Sequence, residues 1–354
     1  MTYKGLEGYM LMDHSTITNL ELVRNRRTGR QENTLFSTLN HCNTTCGSRL
    51  LRVNVLQPPS NIETVEMRLD AIEELVLNEE GLSTITSSLT SFLDVDHLCA
   101  IQFISHGDTL TDEKSCQQAI GNIILLKTSL DLVPVMREAF TKFNEGEGPR
   151  NPLLAQILEN LSNPVIEEMR QRIDEQINEK VKMGSNSIQI RNQQCFAVKQ
   201  NVNGLLDVAR RTYSEILSDI FSLANQYKEQ YLLNSLKVKE TVKRGFHFVL
   251  PKSNKFNPKD NSEFVQVSSK GKQFKFSSET LISLNSRFKE CVNEIFLLTG
   301  RTIEELIVAI KKQLSVIYLL SDSIAMLDML CSFANYVILT ENCGQTFFQI
   351  FVIF

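Results

Sequence analysis

Between Gly204 and Phe276 the chain passes from a long heptad-patterned stretch straight into a short, strongly basic segment of alternating residues. Leu206, Ala209, Tyr213, Ile216, Ile220, Leu223, Tyr227 and Tyr231 follow one another at steps of three and four, the spacing of a packed helical seam. At about 1.5 Å per residue, a helix from Leu206 to Tyr231 would span roughly 39 Å. Downstream, Leu236 and Val238, then Phe246, Phe248 and Leu250, alternate with polar residues. A period of two reads as strand, and Gly245 suits the turn of a hairpin. Phe264–Val267 and Gln273–Phe276 read as further short strands. A stiff arm with a positive tip is a device for reaching a polyanion.

Charge is distributed unevenly. From Lys237 to Lys275 there are ten basic residues against Glu240, Asp260 and Glu263, a local excess of seven in a chain whose net charge is −4. Such asymmetry says more about partners than the total does. The hydrophobic fraction of 42% suits long amphipathic helices that expose much surface. The eight cysteines are scattered and form no CxxC pair, and no apolar run follows the first residues as a signal peptide would require. A reducing compartment, cytoplasm or nucleus, is expected. His41, Cys42 and Cys46 lie near one another, but no second ligand pair stands at zinc spacing, so they read as ordinary helix residues.

The rest of the chain reads as helices. Thr34–Val55 carries an apolar face and stops at Pro58-Pro59; Ser60 or Asn61 then caps a helix with its seam at Ile62, Val65, Leu69, Ile72 and Leu75. Gly81–Phe103 reads as two short helical pieces. Cys116–Phe140 is a long apolar helix containing Pro134, and residues 144–152 are a Gly/Pro-rich connection. Asn163-Pro164 opens a helix with its seam at Ile166, Met169, Ile173, Ile177 and Val181. Ser187–Val198 has room for a strand. Helix resumes at Thr280, is broken by Gly300, and restarts on a Thr302/Glu305 capping box. The expected order is a helical body, a rising helix, a small basic β-tip, a returning helix and more helical body.

Catalytic signatures are missing. No GxxxxGK[ST], GxGxxG, HExxH or GxSxG occurs, and Gly271-Lys272 lacks both the earlier glycine and the following hydroxyl of a phosphate loop. His14, His41, His97, His106 and His247 are far apart in sequence, and Asp94 and Asp96 read as caps or surface residues.

Several segments resemble the MutS family of DNA mismatch-recognition ATPases. Asp13, Thr16 and Asn19-Leu20-Glu21-Leu22 are similar to that family's D-xx-T-xx-NLEL opening. Thr45, Gly47 and Arg49-Leu50-Leu51, followed by Leu56 and Pro58, resemble T-xx-G-x-RLL before L-x-P. Ile62, Val65 and Arg68–Leu75 look like I-xx-V-xx-RLDAVEEL. The asparagine-histidine-cysteine at 40–42 is most like the family's meiotic branch. The resemblance covers about residues 8 to 337 and implies a mainly α fold. This is an elongated helical core/lever domain with long paired helices and an inserted small β-rich clamp tip. Arg244-Gly245-Phe246-His247 departs from the Gly-Tyr-Tyr of many relatives. The implied division is core/lever at 1–203, clamp insertion at 204–280, returning helices at 281–337 and an apolar tail at 338–354. The family's ATPase region would begin soon after Tyr336-Val337. The tail Thr346–Phe354 stands there instead, as in a truncated isoform, and is too short to span a membrane.

The resemblance implies a DNA-embracing lever and clamp, acting in the nucleus in meiotic recombination. Its expected partners are duplex or branched DNA and a second meiotic MutS homologue, with no membrane. No cofactor is expected in this chain; ATP and magnesium belong to the full-length family. The residues chosen for DNA are Lys237, Lys239, Lys243, Arg244, Lys270 and Lys272. Lysine-rich strands hold phosphates without reading bases. Phe246 and Phe248 are expected to form the small core under the sheet. The alternative is a helical interaction scaffold with no role on DNA.

Overall fold

Seam spacing, capping side chains and turn residues together set the elements of the computed structural model, which describes residues 8–92, 112–178, 187–252 and 256–341. The readings at Asp94, Asp96, His97, Cys99, His106, Val181, Lys255, Cys343 and the 346–354 tail lie outside the described residues. The helices are α1 His14–Asn19, α2 Leu35–Leu39, α3 Thr45–Leu56, α4 Ile62–Leu77, α5 Glu79–Thr90, α6 Glu113–Thr141, α7 Pro152–Leu161, α8 Pro164–Gln176, α9 Ser187–Cys195 and α10 Gly204–Gln230. Strands β1 Lys237–Thr241, β2 Gly245–Pro251, β3 Phe264–Lys270 and β4 Gln273–Ser278 follow, then α11 Glu279–Lys312 and α12 Leu314–Glu341. The fold is mainly α with one small antiparallel sheet. The chain divides into two compact units: Met1–His106, Leu125–Ile173 and Ala309–Phe354 in the first, Gly107–Ile124 and Asp174–Val308 in the second.

The first unit is built around α12. Ile317, Leu320, Ile324, Ala325, Leu327, Met329, Leu330, Phe333 and Ala334 are buried round most of its circumference, as befits an interior helix. It packs on α3, α4, α5 and α7. Two helices, Glu113–Thr141 and Leu314–Thr340, are long and apolar enough to cross a membrane, and most of each apolar stretch is buried inside the fold.

The single helix expected over Thr34–Val55 is two. Thr44 caps α3 by accepting from the Gly47 amide at 3.0 Å, and the Asp328 carboxylate of α12 accepts from Asn43 N at 2.9 Å and Thr44 N at 2.8 Å. Those amides therefore face a carboxylate, not a helical carbonyl. Asn61, not Ser60, caps α4. The 144–152 connection is organised by Glu74, which accepts from Asn144 Nδ2, Arg150 N and Asn151 N at 2.7–2.8 Å.

The second unit holds the long helix, 27 residues from Gly204 to Gln230, or roughly 40 Å. Its seam is buried at Leu206, Ala209, Tyr213, Ile216, Ile220 and Tyr227. Contacts with α11 advance in opposite senses. Asn203 Nδ2 donates to Thr302 Oγ1 at 2.9 Å, the Cys291 thiol to Ala209 O at 3.3 Å, and the Tyr213 and Phe288 rings lie 5.0 Å apart. The two stems thus run side by side and antiparallel.

Gly300 does not break α11, which continues to Lys312. An added Cβ there would lie 3.0 Å from the Cβ of Cys116 on α6, so the glycine permits close packing of two helices. Thr302 starts no helix either; its hydroxyl donates to Leu298 O inside α11, and the interruption comes at Gln313. Ser187–Cys195 is helix, not strand. Arg210 of α10 donates to Cys195 O at 2.8 Å, Tyr213 OH to Asn192 Oδ1 at 2.7 Å, and the Arg191 guanidinium stacks 5.1 Å from the Phe288 ring. These tertiary anchors override the alternation of Ile188 and Ile190.

Candidate nucleic-acid interface

The transition from helix to sheet is set by the end of α10. Leu233 N donates to Lys228 O at 2.9 Å and Leu232 N to Glu229 O, with Leu232 at φ +53°. That is a Schellman closure with leucine where glycine is usual. The chain then enters β1, and the sheet order is β1-β2-β4-β3, all antiparallel.

Register assigns the faces. Lys239 stands opposite His247, Lys237 opposite Val249, Val249 opposite Lys275, and Lys275 opposite Ser268. Side chains alternate across a strand, so Lys237, Lys239, His247, Val249, Lys275 and Ser268 share one face. The other carries Val238, Glu240, Phe246, Phe248, Leu250 and Phe276. This second face is the expected core. Tyr227 lies 5.5 Å from Phe248 and 5.4 Å from Phe264, and Phe264 lies 4.8 Å from Phe276. The simple alternation does not hold on β2, however: His247 and Val249 are buried as well.

Glu240, counted above against the positive patch, projects from the core side. It is paired with Arg191, through Nη1 to Oε1 and through Nη2 to Oε2 at 3.0 Å, and both side chains are largely buried. Its charge is neutralised away from the lysine face.

The chosen residues line the sheet from end to end. Lys237 and Lys239 are exposed on β1, Lys243 in the β1–β2 loop and Lys272 in the β3–β4 turn. Lys270 ends β3 opposite Gln273, and its side chain lies outside the described atoms. The two turns are at opposite ends of the sheet, separated by the length of β2, or roughly 20 Å at about 3.3 Å per residue. Arg244 is half-buried and works as a strut. Its Nη1 donates to Ser268 Oγ at 3.0 Å and its Nη2 to Gln266 O at 2.9 Å. Gln266, at φ +53°, lies in a bulge between Val265 and Ser268, which frees the carbonyl that Arg244 takes. Gly271-Lys272 is the two-residue turn of a hairpin, with Gly271 at φ +59°, and not a nucleotide phosphate cradle.

Lys275 was not among the chosen residues, although the register sets it on the lysine face. Its place there follows from the β2–β4 register, in which Val249 stands opposite Lys275, and spacing within one strand does not show that pairing.

Gly245 anchors the sheet to α11. The Asn285 side chain accepts from Phe246 N at 2.9 Å and donates to Phe246 O at 2.8 Å, replacing the strand partner that β4 does not supply at this end of β2. Gly245 has φ +67°, and an added Cβ would lie 2.7 Å from Asn285 Oδ1. Gly245→Ala is therefore expected to cost about 2–3 kcal/mol, through backbone strain and loss of the Asn285 clamp. Chemical denaturation checks this; an unchanged midpoint would show that the loop relaxes freely.

The family MutS domain III matches residues 15–334. The chain is 34% identical to MutS protein homolog 4 of Homo sapiens over 98% of its own length and 36% of the human protein. It is 32% identical to DNA mismatch repair protein MSH4 of Arabidopsis thaliana, over 95% of this chain and 43% of that protein. To DNA mismatch repair protein MutS of Methanosarcina acetivorans it is 26% identical, over 98% of this chain and 35% of that protein. The chain thus spans about two fifths or less of each of these relatives.

Proposed function

The chain belongs to the MutS family, and on that premise we propose that this segment is a lever and clamp that embraces duplex or branched DNA in meiotic recombination. The observation that carries the reading is the one-sided sheet. Lysines stand along one face and in both turns, while the acid of β1 is turned to the other side and neutralised by Arg191. Neutralised phosphates release counterions, so binding is steeply salt-dependent and indifferent to sequence. A row of cations roughly 20 Å long matches about six steps of a strand at about 3.4 Å each. Lys237, Lys239, Lys243 and Lys272 make the phosphate contacts; Arg244 acts chiefly by holding the hairpin over β3. Lys270 is included for its position at the β3–β4 turn.

The whole protein acts in the nucleus on meiotic chromosomes, paired with a second meiotic MutS homologue, and ATP with magnesium serves it outside this segment. The test is a salt titration of duplex and four-way-junction DNA with the full chain and with Lys237, Lys239, Lys243 and Lys272 changed to Gln. The expected result is a loss of roughly 10- to 100-fold at low salt. The slope of log affinity on log salt should fall by about one for each contact removed. A flat salt response, unaltered by the substitutions, would favour a protein-interaction scaffold instead.

A further inference from the structure

We propose that binding of a backbone phosphate on the lysine face is coupled to protonation of His247, which lies buried among Lys239, Arg244 and Lys275. The inference rests on the DNA reading above and adds to it a proton.

His247 is 1% exposed. Its Nδ1 lies 3.0 Å from Gly245 O. A carbonyl can only accept, so Nδ1 carries the hydrogen and the neutral ring leaves Nε2 as a bare acceptor. Nε2 is buried with no hydrogen-bond partner. The charged groups facing the ring come from each neighbouring element: Lys239 directly opposite on β1, Lys275 on β4, and Arg244 on the hairpin loop, strapped to Ser268 of β3. Glu240, the acid of β1, is on the other face with Arg191.

Burial above all holds the imidazole below its ordinary value; the Gly245 carbonyl pulls it back up, and the charges of Lys275, Arg244 and Lys239 each add a lesser downward push. The free protein therefore keeps His247 neutral at pH 7. As pH falls below the unfolded value, the unfolded chain takes up the proton first and the sheet loses stability. A phosphate held by Lys239, with Lys275 beside it, offsets the positive field on the ring. The imidazolium then faces an anion, and the bound complex takes up a proton from water in the window between its own pKa and that of the free protein. Affinity rises as pH falls through that window.

The test is calorimetric titration of the full chain with duplex DNA between pH 6.0 and 7.5, in buffers of different ionisation enthalpy. The wild type is expected to bind about three- to tenfold more tightly at pH 6.0 and to take up protons as it does so, one pKa unit corresponding to tenfold. His247→Gln is expected to remove both effects while binding comparably at pH 7.5. His247→Phe serves if the glutamine variant does not fold. Binding by the wild type with no proton uptake would overturn this inference and leave the DNA reading standing. Equal uptake in a folded His247 variant would do the same. No binding at any pH would overturn the DNA reading, and this inference with it.

Discussion

Asp328→Ala is expected to destabilise the first unit by about 3–5 kcal/mol, because it removes a buried acceptor and leaves three donors behind. Asp328 is fully buried in α12 and accepts from Asn43 N, Thr44 N and, at 2.6 Å, Thr44 Oγ1. Burial raises its carboxyl above the ordinary value, while the hydrogen bonds from Asn43 and Thr44 pull it down. That carboxylate is the acceptor all three donors share in the tight contact between α3 and α12. Gly47 shows how tight it is: an added Cβ would lie 2.7 Å from the Asp328 Cβ. Scanning calorimetry should show an unfolding midpoint lower by roughly 10 °C. Asp328→Asn keeps one acceptor and should lose less. An alanine variant melting with the wild type would mean that the 40–44 segment repacks without its anchor.

Phe276→Ala is expected to cost about 3–5 kcal/mol in the second unit. The ring is fully buried and touches both Phe264 and Phe248, which in turn pack on Tyr227 of α10. The cavity would sit in the seam between sheet and helix, so the sheet would come loose before the helices do. Limited proteolysis reads this directly, with early cleavage at Lys239, Lys243 and Lys272 while the α10–α11 pair persists. Phe276→Leu fills most of the space and should cost well under half as much. On the proposed DNA reading, salt-dependent affinity should fall with Phe276→Ala although no charge has changed, which separates the loss of the platform from the loss of its cations.

Periodicity made the long helix, the strands around it and the aromatic core beneath the sheet legible. Leu206 to Tyr227 repeat often enough for one face to stand out, and β1 is a solvent-facing strand in which alternation survives. Elsewhere, distant contacts decided the outcome. Gly300 reads as a breaker because glycine is a poor helix former, yet close approach of Cys116 makes glycine the residue that fits. The pause at residues 40–44 depends on a carboxylate nearly three hundred residues away. Arg191 and Glu240 are 49 residues apart, and neither carries a mark that would pair them. On the lysine face, Lys237 and Lys239 could be assigned from β1 alone. Lys275 and His247 could not, because their neighbours depend on how β2 registers against β1 and β4. The segments that resemble the MutS family made its membership legible from short phrases; no comparable phrase marks which lysines share a face.

The β-segment leaves one helix and returns on that helix's antiparallel neighbour. Its beginning and end are therefore held close together before any strand has paired. Most of the entropy of closing the intervening chain is spent by the helices, so the sheet behaves as a cassette seated in a fixed socket. Its turns can lengthen, shorten or change charge with little effect on the register of the stems. Variation in what such an arm grips can therefore accumulate at its tip while the arm itself stays as it is.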